Sequence, residues 1–197
     1  AAVAAGVRSI GVIAGLGVYG WELRAMVRAR KRRTPDWGLR YFLTAVSLFI
    51  PLSALAVVLC WPGLPLTIFT GQLENVYGFL ALFGVVTLAI LGMLYKIVPF
   101  LVWYRSYSRE IGRSKVPTLG EMCSAPLQAV TYWAFLAALI AVSVTTALSS
   151  ETGVQLSCGL LAGTLALFAI NIAWTLSHLI KPRIQPLEFH SIPQANA

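Results

Sequence analysis

Five long apolar stretches, separated by connections that alternate between crowded with positive charge and free of it, constrain this chain more than any other feature. Runs without charge cover Ser9–Trp21, Tyr41–Leu73, Asn75–Tyr95, Met122–Ser150 and Thr152–Ile180. Four of them are long enough to cross a hydrocarbon core about 30 Å thick, which takes roughly 20 helical residues. The first reaches that length only with an ionisable residue at its edge. Of 197 residues, 58% are hydrophobic and 11% charged, against roughly 25% charged in a soluble domain. So few charges cannot cover that much apolar surface in water. Open sheet edges leave peptide groups unpaired in lipid, and the short alternating segments of a barrel are absent from the sequence. The expected fold is therefore all-α: a polytopic transmembrane helical bundle with five membrane-spanning helices. It occupies residues 1–182, with spans at about 3–28, 39–60, 74–98, 126–148 and 154–180, followed by a cytoplasmic tail, 183–197.

Orientation follows from the basic residues. Arg24, Arg28, Arg30, Lys31, Arg32, Arg33 and Arg40 surround the first connection, whereas Trp61–Leu73 carries no charge. Lys96, Arg105, Arg109, Arg113 and Lys115 surround the third connection, the fourth holds only Glu151, and Lys181 and Arg183 end the last span. Only Arg8 breaks the alternation. The positive-inside rule then puts the basic connections and the C-terminus in the cytoplasm and the N-terminus outside, as expected of a multi-pass membrane protein. The net charge of +8 is read as a topology signal and not as a nucleic-acid footprint, because the aromatic residues lie at membrane edges and not among the charges. The Arg28–Arg33 cluster should attract anionic headgroups weakly. The chain opens Ala-Ala-Val and runs straight into an apolar segment. The expectation is that residue 1 is not the native start and that upstream helices are missing.

Local patterning sets further expectations. Gly11 and Gly15, then Gly17 and Gly20, give the first helix a thin face; Gly84 with Gly92, and Gly159 with Gly163, do the same for the third and fifth. Pro51 should kink the second span, with Thr34 or Asp36 capping it and Trp37 anchoring it. Leu64–Gln72, interrupted by Pro65 and Gly71, reads as an outer loop. Pro99 reads as a break, with Phe100–Arg105 continuing along the interface. Ser106–Met122 is the longest hydrophilic connection, read as a simple joint or as a surface for an extramembrane partner. The tail after Pro182 reads as a disordered or surface-lying end.

The inventory of chemistry-bearing residues is short. Cys60, Cys123 and Cys158 lack metal-like spacing and read as buried thiols, a Cys60–Cys158 disulfide being the alternative. No phosphate loop, HExxH, CxxC or GxSxG occurs, so no catalytic, cofactor or metal site is assigned. Five polar residues at membrane depth or its edge remain as candidates: Arg8, Glu22, Lys96, Asn171 and His178. Arg8 and Glu22 read either as snorkelling or as facing a partner inside the bundle. Lys96 reads as a boundary lysine, or as a group for a lipid phosphate or for proton entry. Asn171, Thr175 and His178 recur at i, i+4 and i+7, a single stripe that should face protein.

Gly92-Met-Leu-Tyr-Lys-Ile-Val-Pro-Phe-Leu-Val-Trp103, the segment from Tyr104 through Lys115-Val-Pro-Thr-Leu119, and Arg33-Thr-Pro-Asp-Trp-Gly-Leu-Arg40 resemble the C-terminal part of bacterial proteins related to haem–copper oxidase subunit I. The resemblance implies a bundle of about twelve helices of which this chain would be the last five. In that family the third helix from the C-terminus carries haem-ligating histidines; Leu80–Ile97 here contains none. No haem or copper ligand is therefore carried over, and no cofactor is expected. Two functions follow. One is a structural or assembly element of an oxidase-like bundle, partnered by the bilayer and by upstream helices or other membrane subunits. The other is a small-solute, ion or lipid-handling transporter with Arg8, Glu22, Lys96, Asn171 and His178 along a polar path.

Overall fold

A computed structural model describes residues 15, 17–29, 36–61, 63–111, 114–181 and 185–186. Four helices among them are long and apolar enough to cross a membrane: Trp37–Leu59, Ile68–Glu110, Ala125–Ala147 and Glu151–Ser177. A fifth helix, α1, covers residues 17–28, so much of the first expected span, with Gly11 and Arg8, lies outside the described residues. The protein is an all-helical, multi-pass membrane protein.

The second span is two helices in line, α2 (Trp37–Ser47) and α3 (Phe49–Leu59), with Leu48 as the joint. Pro51 causes the interruption: it has no N–H for the Ser47 carbonyl, and its ring crowds that same group. Asp36 sits at the N-cap with extended backbone, but its carboxylate makes no capping bond. It reaches instead to Lys96 Nζ, at 3.5 Å.

The third span differs most from expectation. Helix α4 (Ile68–Phe79) begins inside the stretch read as a loop, because Thr67 and Thr70 bond reciprocally across its first turn, Thr67 N–H to Thr70 Oγ1 at 2.8 Å and Thr70 N–H to Thr67 Oγ1 at 3.2 Å. That exchange satisfies donors a helix start otherwise leaves orphaned. A π-helical stretch, Leu80–Thr87, follows and leads into α5 (Leu88–Tyr107). Pro99 does not end α5 but lies buried within it. The continuous helix of 43 residues is about 65 Å long at 1.5 Å per residue, roughly twice the hydrocarbon thickness. Its end around Arg105–Glu110 therefore projects beyond the core.

Helices α6 (Ala125–Ala147) and α7 (Glu151–Ser177) form a tight hairpin. Ser149 N–H bonds Thr146 O and Ser150 N–H bonds Thr145 O, each at 3.0 Å, with Ser149 at φ 54°. This is the bond pattern that closes many helices, with serine holding the left-handed position that glycine usually takes. The connection from α5 to α6 is folded too. Ser114–Lys115 pairs antiparallel with Gln185–Pro186, so the tail is tied back to the loop at this point. Trp103 Nε1 donates to Pro117 O at 2.8 Å.

Helices α2 and α5 touch backbone to backbone. A Cβ on Gly92 would lie 2.7 Å from Gly38 O, 2.8 Å from Tyr41 Cβ and 3.0 Å from Phe42 N. Gly84, eight residues earlier, also faces α2, where a Cβ would meet Leu48 Cδ1 at 3.2 Å. The thin faces at Gly15, Gly17, Gly20, Gly159 and Gly163 behave otherwise: a Cβ at any of them meets nothing within 4 Å. They are not contact faces among the described residues. Cys60 and Cys158 are free and exposed, whereas Cys123 is buried, which departs from the expectation of three buried thiols and shows no Cys60–Cys158 bond.

Gly92→Ala should therefore destabilise the protein by about 1–3 kcal/mol, the usual cost of overfilling a packed contact. Gly163→Ala should be neutral or slightly stabilising, because helix propensity favours alanine by up to about 1 kcal/mol. Thermal unfolding of the two variants in detergent checks the contrast.

Candidate functional site

Three buried polar residues of α7 and its C-cap, Asn171, Thr175 and His178, gather where α5, α6 and α7 meet at the basic end. On α7, Asn171 and Thr175 are fully buried and His178, its C-cap, is 3% exposed. Each bonds to a different part of the fold. Asn171 Oδ1 accepts from the Ser124 N–H at 3.2 Å, while Nδ2 donates to Ser124 O at 3.4 Å and to the Tyr95 hydroxyl at 3.5 Å. One amide thus grips both backbone groups of the residue preceding α6 and reaches α5 as well.

Thr175 Oγ1 lies 3.2 Å from Met122 O, 3.2 Å from Asn171 O and 3.1 Å from Cys123 Sγ. A hydroxyl has one proton to give. Two carbonyls compete for it, so the Cys123 thiol is the donor in the third contact. Burial pushes the Cys123 thiol above its ordinary pKa. The protonated, donating form is the one this environment favours.

At the end of the seam, His178 Nδ1 and the Tyr107 hydroxyl are 2.8 Å apart, and Ser106 Oγ donates to His178 O at 3.3 Å. Tyr107, fully buried, belongs to a small core with Val102 and Met122. Behind the seam lies an aromatic cluster. Tyr41 meets Tyr95 and Tyr132 edge-on, with ring centroids 5.6 and 5.1 Å apart, and Tyr95 meets Phe168 at 4.8 Å. The Tyr132 hydroxyl and Thr44 Oγ1 are 2.7 Å apart. Among the described residues, the Tyr41 hydroxyl is buried without a hydrogen-bond partner.

Of the five polar candidates, Asn171 and His178 come together in this seam. Lys96 does not: it stands next to Tyr95 in sequence but is 44% exposed, its head at Asp36 and its stem across Gly38, whose added Cβ would meet Lys96 Cγ at 3.2 Å. Glu22 is exposed on α1, and Arg8 lies outside the described residues. Sequence patterning missed Tyr95, Tyr107, Cys123 and Ser124 as the partners of the stripe. A usable signal existed, because a buried asparagine on an apolar helix must find partners.

Among the described residues, no three His, Cys, Asp or Glu side chains converge as metal ligands. Nor do they fit a haem clamped between histidines: His178 is the one histidine among them, and its Nδ1 is engaged by Tyr107. What the arrangement does chemically is fasten helices to each other. No family model, curated protein or solved structure matches the chain.

Two outcomes follow from the seam. Asn171→Ala should leave the half-buried Ser124 N–H unpaired, at a cost of about 1 kcal/mol, and amide exchange at Ser124 should accelerate; an unchanged exchange rate would refute the contact. In the folded protein near pH 7, Cys123 should react with maleimide far more slowly than Cys60. A raised pKa leaves less thiolate, and burial restricts access. Denaturation should remove the difference, as read by peptide mass spectrometry.

Proposed function

We propose that this chain is a structural or assembly element of a larger integral-membrane complex of oxidase-like architecture, seated in a bacterial inner membrane with its basic end in the cytosol. The observation that supports this reading best is the use made of the polar residues in the seam. Asn171, Thr175 and His178 each hold a neighbouring helix or the α5–α6 connection. Transport along a polar path would instead call for such groups to converge on a common passage, and Lys96 and Glu22 are turned to the exterior.

A partnering role also accounts for the thin outer face of α7. Gly159 and Gly163 are exposed, with room beside them for a further helix, and small residues let membrane helices approach closely. Upstream helices of the same polypeptide or a second subunit would meet that need.

A photo-crosslinking residue at position 163, introduced into the full-length protein in native membranes, tests the proposal. Adducts to another membrane segment, together with migration as a complex in a native gel, are the expected result. Lipid adducts alone from a protein migrating as a monomer would overturn it. So would solute uptake by proteoliposomes that disappears in Asn171→Ala while the fold is retained.

A further inference from the structure

A different part of the surface carries a separate inference. Helix α1 and the α2–α3 span do not close upon each other. Between them lies an open cavity of about 610 Å³, with Gly17, Gly20 and Arg24 on one wall and Leu43, Ser47 and Ser53 on the other. A second recess, of about 290 Å³, adjoins it, sharing Tyr19, Val46 and Phe49 and extending to Phe42, Val85 and Ala89. The walls are apolar in effect even at the serines. Ser47 Oγ donates to Thr44 O at 2.8 Å and Ser53 Oγ to Phe49 O at 2.7 Å, so both hydroxyls are turned into their own helices.

We infer that these paired recesses hold the two acyl chains of an anionic phospholipid, with Arg24 at its phosphate. Two features of the cavity select that occupant. The first is number: two adjoining apolar recesses match two chains on one headgroup.

The second is charge. Among the described residues, Arg24 is the one ionisable group lining the larger recess apart from the Tyr19 phenol, and Arg28 follows one helical turn later on the same face. Among the described residues neither arginine has a carboxylate within ion-pair distance, since the single ion pair is Lys96–Asp36. Glu22, the nearest acid on α1, does not line the cavity. An anionic headgroup at Arg24 therefore meets attraction without an adjacent competitor.

The glycines supply the test. A Cβ at Gly20 meets nothing within 4 Å, so Gly20→Phe can start its side chain into the cavity without a clash at Cβ and take up space an acyl chain would use. In native mass spectrometry of the full chain, long-chain phosphatidylglycerol should survive delipidation, whereas long-chain phosphatidylcholine and a short-chain phosphatidylglycerol should be lost. Gly20→Phe should abolish retention. Arg24→Gln should weaken it about fivefold, the factor one arginine near an anionic surface supplies, and should erase the preference for the anionic headgroup. A photo-crosslinker at position 20 should give lipid adducts. Retention unaffected by Arg24→Gln, equal retention of the short-chain lipid, or a protein adduct at position 20 would each overturn the inference. Arg24→Gln, at an exposed position, keeps the test decisive should Gly20→Phe fail to fold.

Discussion

Hydrocarbon offers no hydrogen-bond partner, so every polar group carried into it must be satisfied by the protein. Helices meet that demand for their own backbones. Side chains and helix termini do not meet it automatically, and the fold turns on how they are served at the basic end. Asn171 reaches Ser124 at the start of α6 and Tyr95 on α5; Thr175 and His178 continue the work onto Met122 and Tyr107. Without these bonds the α5–α6 connection would bring unpaired carbonyls and amides against apolar neighbours. With them, the same groups fix where α6 begins relative to α7.

Elsewhere the helices are held by proximity. In lipid the hydrophobic effect does not drive one helix onto another, and close packing has to serve instead. Gly38 and Gly92 allow the α2 and α5 backbones to meet, and Lys96 lies across the same crossing with its ammonium at Asp36. The two halves of the bundle thus rest on different interactions: contact between α2 and α5, hydrogen bonding among α5, α6 and α7. Tyr95 belongs to both, touching Tyr41 on one side and Asn171 on the other.

Much of this was legible in the sequence, for reasons that also explain what was not. Bilayer thickness sets a minimum length for an apolar run, so four crossings could be placed from hydropathy alone. The spacing of Gly84 with Gly92, and of Asn171, Thr175 and His178, correctly put each set on one face. Spacing along a helix gives no direction to the neighbour, however, so Gly159 and Gly163 looked like a contact face although they are exposed. The start of α4 was hidden because Thr67 and Thr70 cap each other without the acidic partner that usually marks such a turn. Pro99 looked like a stop because its local cost is certain, whereas its burial within α5 depends on tertiary packing. The partners of the stripe were hidden for the same reason: Tyr95, Tyr107 and Cys123 lie 52–76 residues away in sequence from the groups they bond, on no common local pattern.

The π-helical stretch Leu80–Thr87 has a bearing on how this crossing tolerates changes of length. Its backbone hydrogen bonds close over one more residue than those of an α-helix. The stretch therefore stores slack. Removal of a single residue there would let ordinary α-helical geometry take over, with the flanking faces of α4 and α5 still in phase. The same deletion in the middle of α6 would swing everything beyond it by about 100°, carrying Ala138, Leu139 and Val142 out of the core. Of the long helices, this one alone can shed a residue and keep its neighbours.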